Sequence, residues 1–179
     1  GATSSMQVLI PLEVLSSAIS LELGSWRQIW TEGRALWSLL YEELVEGTQT
    51  LGIRTRNQVV SDVLVGIING GSESHAGEVD CLKEAIKGCD SSNPAYREFL
   101  IYILVRSKSY LRRFGATAGL ELYDLAIKTF PLPDRTLSHH RALWLKNEIG
   151  DSKEAYRALE ETRNVQQYPL AKSAEPDEY

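Results

Sequence analysis

Apolar residues recur at three- and four-residue steps along most of the chain, the spacing that places them on one face of an α-helix. "IPLEVLSSAISLEL" (10–23) carries Leu12, Leu15, Ile19 and Leu23 at that spacing, with Pro11 suited to a first helical turn. Gly24 and Ser25 interrupt it, and Ser25 is a candidate N-cap. "WRQIWTEGRALWSLLYEELV" (26–45) repeats the pattern through Trp26, Ile29, Trp30, Leu36, Trp37, Leu40, Tyr41 and Leu44, with Gly33 as a weak point. Its three tryptophans read as core filling between short helices.

The period then changes. Tyr41 to Val45 and Thr50 to Thr55 are β-prone and flank Gly47-Thr48-Gln49, so a hairpin is expected there. Asn57 is a candidate N-cap for the next helix, whose apolar positions are Val59, Val60, Val63, Leu64 and Ile67. "NGGSES" (69–74) is turn-rich and reads as a boundary. Beyond it every segment is helical in pattern. "SHAGEVDCLKEAIKGC" keeps Val79, Leu82, Ala85 and Ile86 on one face; "AYREFLIYILVRSKSYLRRF" is apolar first and basic at its end; "ATAGLELYDLAIKTF" stops at "PLPD". "LSHHRALWLKNEIGD" and "SKEAYRALEETRNV" form a last pair, and "AKSAEPDEY" is an acidic tail.

The expected fold is therefore mainly α: a small domain with a short β hairpin, followed by an antiparallel array of helical hairpins. Residues 1–5, "GATSS" before Met6, read as a vector remnant, which makes the chain a candidate piece of a longer protein. The expected boundaries are 6–70 for the first domain, 74–168 for the array and 169–179 for the tail.

Composition narrows the function classes. With 43% apolar and 24% charged residues, a packed core is within reach and global disorder is not expected. A net charge of -5 is the wrong sign for a non-specific nucleic-acid binder. Cys81 and Cys89 lack metal-ligand spacing and read as thiols on one amphipathic helix, which fits a reducing, cytoplasmic setting. No apolar run approaches the roughly 20 residues of a membrane span, so no membrane contact is expected. The chain lacks a phosphate loop, His-Glu-x-x-His, Gly-x-Ser-x-Gly and Gly-x-Gly-x-x-Gly. His139 and His140 are adjacent and point to different faces of a helix, and Glu42-Glu43 and Glu160-Glu161 read as solvated charge. No nucleophile is paired with a base, so the chain is read as non-catalytic and without a cofactor.

Two resemblances sharpen this. "GDSKEAYRALEET" places Ala155, Leu159 and Thr162 behind a Gly-Asp turn, and Gly119, Tyr123 and Ala126 stand a fixed distance upstream, with Pro131 closing that unit. Ser107 and Tyr110 precede them. The pattern resembles tetratricopeptide repeats over 94–168, with Ile103 where the usual Trp stands and Arg106 where Leu is common. Small residues at such crossings let two helices approach closely. The first half, helices then hairpin then return helix, with "IPLEVL" and "GIRTRNQVVSDVL", resembles the winged-helix segment after the ATPase core of STAND-class signalling NTPases, relatives of NACHT and NB-ARC proteins. Several bacterial members place a tetratricopeptide-like array next.

That resemblance implies a regulatory fragment of a larger signalling NTPase. It puts Arg54, Arg56 and Asn57 at the face toward the parent's ATPase core. In the family a histidine at the position of Asn57 can approach the phosphates of ADP; Asn57 can donate a hydrogen bond but carries no charge. Strand alternation sets Ile53 and Thr55 on one side and Arg54 and Arg56 on the other, outward toward a carboxylate or phosphate. Solvated arginines that discourage edge aggregation are the competing reading. A protein or peptide partner is expected on the array, at Tyr102, Arg106, Tyr110, Arg112 and Arg113, where aromatic and basic groups cluster. The alternative is a DNA-binding winged-helix regulator using Arg27, Gln28 and Arg34. Residues 6–72 hold four Lys and Arg against seven Asp and Glu, which makes nucleic acid an unlikely partner.

Overall fold

The structure is a computed structural model. It describes residues 9–18, 28, 32, 39–45, 47–68, 75–89, 93–130 and 134–163. The architecture is mainly helical with one small antiparallel sheet. Strands β1 (Ile10–Pro11), β2 (Leu40–Leu44) and β3 (Leu51–Thr55) lie in the order β1-β3-β2. Helix α1 (Leu12–Ala18) follows β1, and α2 (Gln58–Ile68) follows β3. The second half comprises α3 (Ala76–Lys87), α4 (Pro94–Ile101), a short α5 (Lys108–Leu111), α6 (Ala116–Thr129), α7 (Arg135–Trp144) and α8 (Ser152–Arg163).

The hairpin forms where the period-2 reading placed it. Leu44 pairs with Leu51 and Leu40 with Thr55, and the turn uses Gly47 at φ 72°, a left-handed conformation that glycine adopts without strain. Thr48 stabilises the turn, since its hydroxyl donates to the Val45 carbonyl at 2.8 Å and accepts the Thr50 N–H at 3.1 Å. The helical spacing of Leu40, Tyr41 and Leu44 is overridden by pairing with β3. Strand β1 was not expected: Pro11 pairs opposite Gly52, ahead of the helix rather than inside its first turn. Asn57 caps α2, its side-chain oxygen accepting the Val60 N–H at 2.9 Å. Residues 25–27, 29–31 and 33–38, with the candidate cap Ser25, the three tryptophans, Arg27 and Arg34, lie outside the described residues; Gln28, which is described, donates to Glu32 at 2.9 Å.

One continuous core links the two halves. Ile10, Val14 and Ile53 from the sheet end join Leu82 and Ile86 of α3, Phe99 and Leu100 of α4, Leu122 and Tyr123 of α6, and Leu137 and Trp144 of α7. A smaller cluster of Ala142, Leu145, Ala155 and Ala158 joins α7 to α8. Gly119 is buried against Trp144: a Cβ there would sit 2.2 Å from the indole ring. Its lack of a side chain permits the close α6–α7 approach.

Candidate functional site: a cleft between the sheet and α4

Two features fix α4 against the hairpin. Asn93 caps the helix by accepting the Ala95 N–H at 2.9 Å, with Pro94 in the first turn. The Asn93 amide also donates to the Thr50 hydroxyl at 3.1 Å, tying the helix start to the hairpin turn. Gly52 permits the close packing beside it, because a Cβ there would lie 2.8 Å from the Leu9 side chain.

Between these elements runs an open cleft of about 600 Å³. Glu43 and Arg54 line it from the sheet; Glu98, Phe99, Tyr102 and Arg106 line it from the helix. Strand alternation works as expected at its core: Ile53 and Thr55 are buried on one face, and Arg54 stands on the other. The Arg54 guanidinium lies 5.3 Å from the centre of the Tyr41 ring and 3.6 Å from Glu43. On the opposite wall Arg106 lies 5.8 Å from the Tyr102 ring centre and reaches back to Glu98 at 3.5 Å. Both ion pairs are longer than a good charged hydrogen bond. Among the described residues each guanidinium is thus held by a ring face and a nearby carboxylate, with its planar donor fork left for another acceptor.

A π-helical turn, Tyr102–Arg106, continues α4 into the cleft wall, closed by the Ser107 N–H donating to the Tyr102 carbonyl at 3.0 Å. Such turns are rare and tend to mark functional positions. The buried Tyr123 hydroxyl donates to the Leu104 carbonyl and anchors the turn to α6.

The sequence-predicted residues divide into three sets. Arg54, Tyr102 and Arg106, predicted for two different surfaces, meet in this one cleft. Arg56 and Asn57 do not join them. Strand β3 ends at Thr55, so Arg56 turns around the sheet edge and its Nε donates to the Leu40 carbonyl at 3.1 Å. Asn57 is occupied as the α2 cap. The remaining array residues lie on separate surfaces. Tyr110 stacks edge-on against Phe114, which in turn meets His75; Arg113 lies over Tyr110; Arg112 makes two contacts with Glu148 at 3.0 and 2.8 Å. Glu43, Glu98 and Phe99 were missed. The signal for Glu98 was its spacing of four from Tyr102, one turn along the same helix face.

Away from the cleft, burial and the neighbouring Lys108 and His139 push the His140 pKa down to about 4. Among the described residues no group of His, Cys, Asp and Glu could hold a metal ion. No described helix is long and apolar enough to cross a membrane. Comparison with protein-family models, with curated proteins and with solved structures returned no match.

Proposed function

We propose that the chain is a non-catalytic interaction module whose cleft between the hairpin and α4 binds an extended protein or peptide segment. The observation that carries this is the convergence of Arg54, Tyr102 and Arg106 on one cleft, with the buried ring of Phe99 in its helix wall. Rigid aromatic surface beside arginine donors is the composition that dominates binding hot spots. Opposite charges on both walls, Glu43 with Arg54 and Glu98 with Arg106, suit a polar peptide backbone better than a strongly charged polymer.

The sequence resemblance supports a finer version. In it, residues 6–70 are a winged-helix-like segment and 74–168 a tetratricopeptide-like array of a STAND-class signalling NTPase. Arg54 then faces either the ATPase core of that parent or the bound segment, and binding reports to the nucleotide state through the shared wall.

Selection of a displayed random dodecapeptide library on the protein tests the reading. Binders are expected, and the double variant Tyr102→Ala, Arg106→Ala should weaken them about tenfold or more. An empty selection, or binders indifferent to that double variant, overturns it. Tight, steeply salt-dependent binding of random duplex DNA in a parallel titration would favour the transcription-regulator alternative.

A further inference from the structure

We infer that the bound segment is an added β-strand, paired antiparallel with the open edge of β2, with an apolar residue facing Leu44 and a basic residue facing Glu42. The inference rests on the cleft reading and specifies how the cleft is used. Among the described residues β2 is outermost in the β1-β3-β2 order, and only its β3 edge is paired. The ladder parity identifies what the other edge offers. The Val45 N–H donates to Thr50 at 2.8 Å, and the Arg56 N–H donates to Leu39 at 2.8 Å. In an antiparallel pair, residues that exchange bonds with the partner strand alternate with residues whose groups point away. Leu39, Tyr41, Glu43 and Val45 therefore point their backbone groups at β3. Leu40, Glu42 and Leu44 point theirs outward.

One of these outward groups is already closed. Arg56 Nε caps the Leu40 carbonyl at 3.1 Å. Among the described residues this leaves the N–H and C=O of Glu42 and Leu44 as two consecutive bonding positions, beside the cleft that Glu43, Leu44 and Val45 line. A strand pairing there exchanges bonds with both residues, and its intervening side chain faces Glu43 and enters the cleft toward Phe99 and Tyr102. Arg56 marks one end of the pairing site and the Gly47 turn the other.

Charge and exposure select the occupant. At the rim of the cleft, on the sheet face of Ile53, Leu44 is 53% exposed beside its cross-strand partner Leu51 at 39%, an apolar pair at one end of the edge. Glu42, on the same face and one pairing position along, is exposed and makes no ion pair among the described residues. Cross-strand partners of matching chemistry are an apolar residue for Leu44 and Lys or Arg for Glu42. The pairing strand thus reads apolar-x-basic. A second copy of this chain fits poorly. Twofold pairing of two β2 strands about Glu42 sets Glu42 against Glu42 and brings Leu44 to the Leu40 carbonyl that Arg56 occupies, and pairing about Glu43 sets Glu43 against Glu43 at a close non-bonded position.

The probes are synthetic peptides taken from the displayed dodecapeptide library, measured by fluorescence anisotropy against four proteins. Leu44→Pro removes an outward N–H without touching the β2–β3 ladder, and an edge strand tolerates proline there. Its circular dichroism and melting temperature should stay close to the parent's, while peptide affinity drops about tenfold or more. Glu42→Lys should shift selected peptides from a basic to an acidic residue at the facing position. Amide exchange gives a readout independent of any substitution: Glu42 and Leu44 should exchange fast in the free protein, slower once peptide is added, with Tyr41 and Glu43 protected throughout. If peptides require Tyr102 and Arg106 but ignore Leu44→Pro and leave the Glu42 and Leu44 amides unprotected, the strand inference fails and the cleft reading survives. If they ignore all of these changes, both fail. A concentration-dependent dimer that Leu44→Pro converts to monomer would assign the edge to a second copy and overturn the inference.

Discussion

Asp134 is 1% exposed, and its two oxygens serve different partners. Oδ1 accepts the Leu137 N–H at 3.0 Å and caps α7; Oδ2 accepts Arg97 Nε at 2.7 Å and joins α7 to α4. Arg97 also reaches the Thr136 hydroxyl at 3.4 Å. Removing the carboxylate loses a cap and strands a half-buried guanidinium, so Asp134→Ala should lower stability by about 2–3 kcal/mol in urea denaturation. A loss under about 1 kcal/mol would show that the pair is solvated in practice. His140 makes a pH-dependent contribution. Its folded pKa of about 4 lies below the ordinary 6.5, because burial disfavours the imidazolium and Lys108 and His139 repel it. The unfolded chain then binds more protons here, so the stabilisation is full above about pH 6.5 and is lost as pH falls toward 4. The melting temperature should fall across that window, and His140→Gln should flatten part of the fall; identical profiles would exclude His140 as a contributor.

At the scale of elements, the β2–β3 hairpin was legible because alternation from Ile53 to Thr55 and the Gly47 turn are local signals. Strand β1 was not legible: two residues carry no period, and their pairing with Gly52 and Ile53 is long-range. The segment Leu40–Leu44 satisfied helical spacing as well as strand propensity, and only the partner strand decides between them. The alternation rule correctly separated Arg54 from Ile53 and Thr55, then failed at Arg56 because the strand stops one residue earlier. The π turn of α4 had no sequence signal at all. Its anchor, the Tyr123 hydroxyl on the Leu104 carbonyl, is buried, and burial also raises the Tyr123 pKa. Tyr123→Phe should cost about 1–2 kcal/mol, since the carbonyl loses its donor without regaining water. A cost near zero would mean that the turn is held by its own backbone bonds. Gly119→Ala tests a steric contact instead. The added methyl meets the Trp144 ring, whose Nε1 donates to the Ala116 carbonyl at 2.8 Å. Overpacking of this kind costs typically 1–3 kcal/mol, read by the same denaturation.

For the whole molecule, the decisive fact is that residues on both sides of the turn-rich 69–74 segment pack into one core. A sequence reading along the chain finds turn-rich segments but cannot see that Val14 and Ile53 share a cluster with Ile86 and Leu122. The cleft was hidden for the same reason: Arg54 and Arg106 stood out individually, but their meeting depends on the Asn93–Thr50 bond and on how α4 lies against the sheet. A shared core has a thermodynamic consequence. Ile53 is 2% exposed, and Ile53→Ala removes methylenes from the sheet end of the cluster, which should cost about 2–4 kcal/mol. If the core is one cooperative unit, that loss will appear equally at its far end. Unfolding followed by Trp144-region exchange and by β3 amide exchange should then give coincident midpoints, both shifted by Ile53→Ala. A shift confined to β3, with α6 and α7 unmoved, would mean that the sheet end opens on its own. The β2 edge would then be presented by a locally mobile hairpin, and an added strand would stabilise the hairpin as well as bind it.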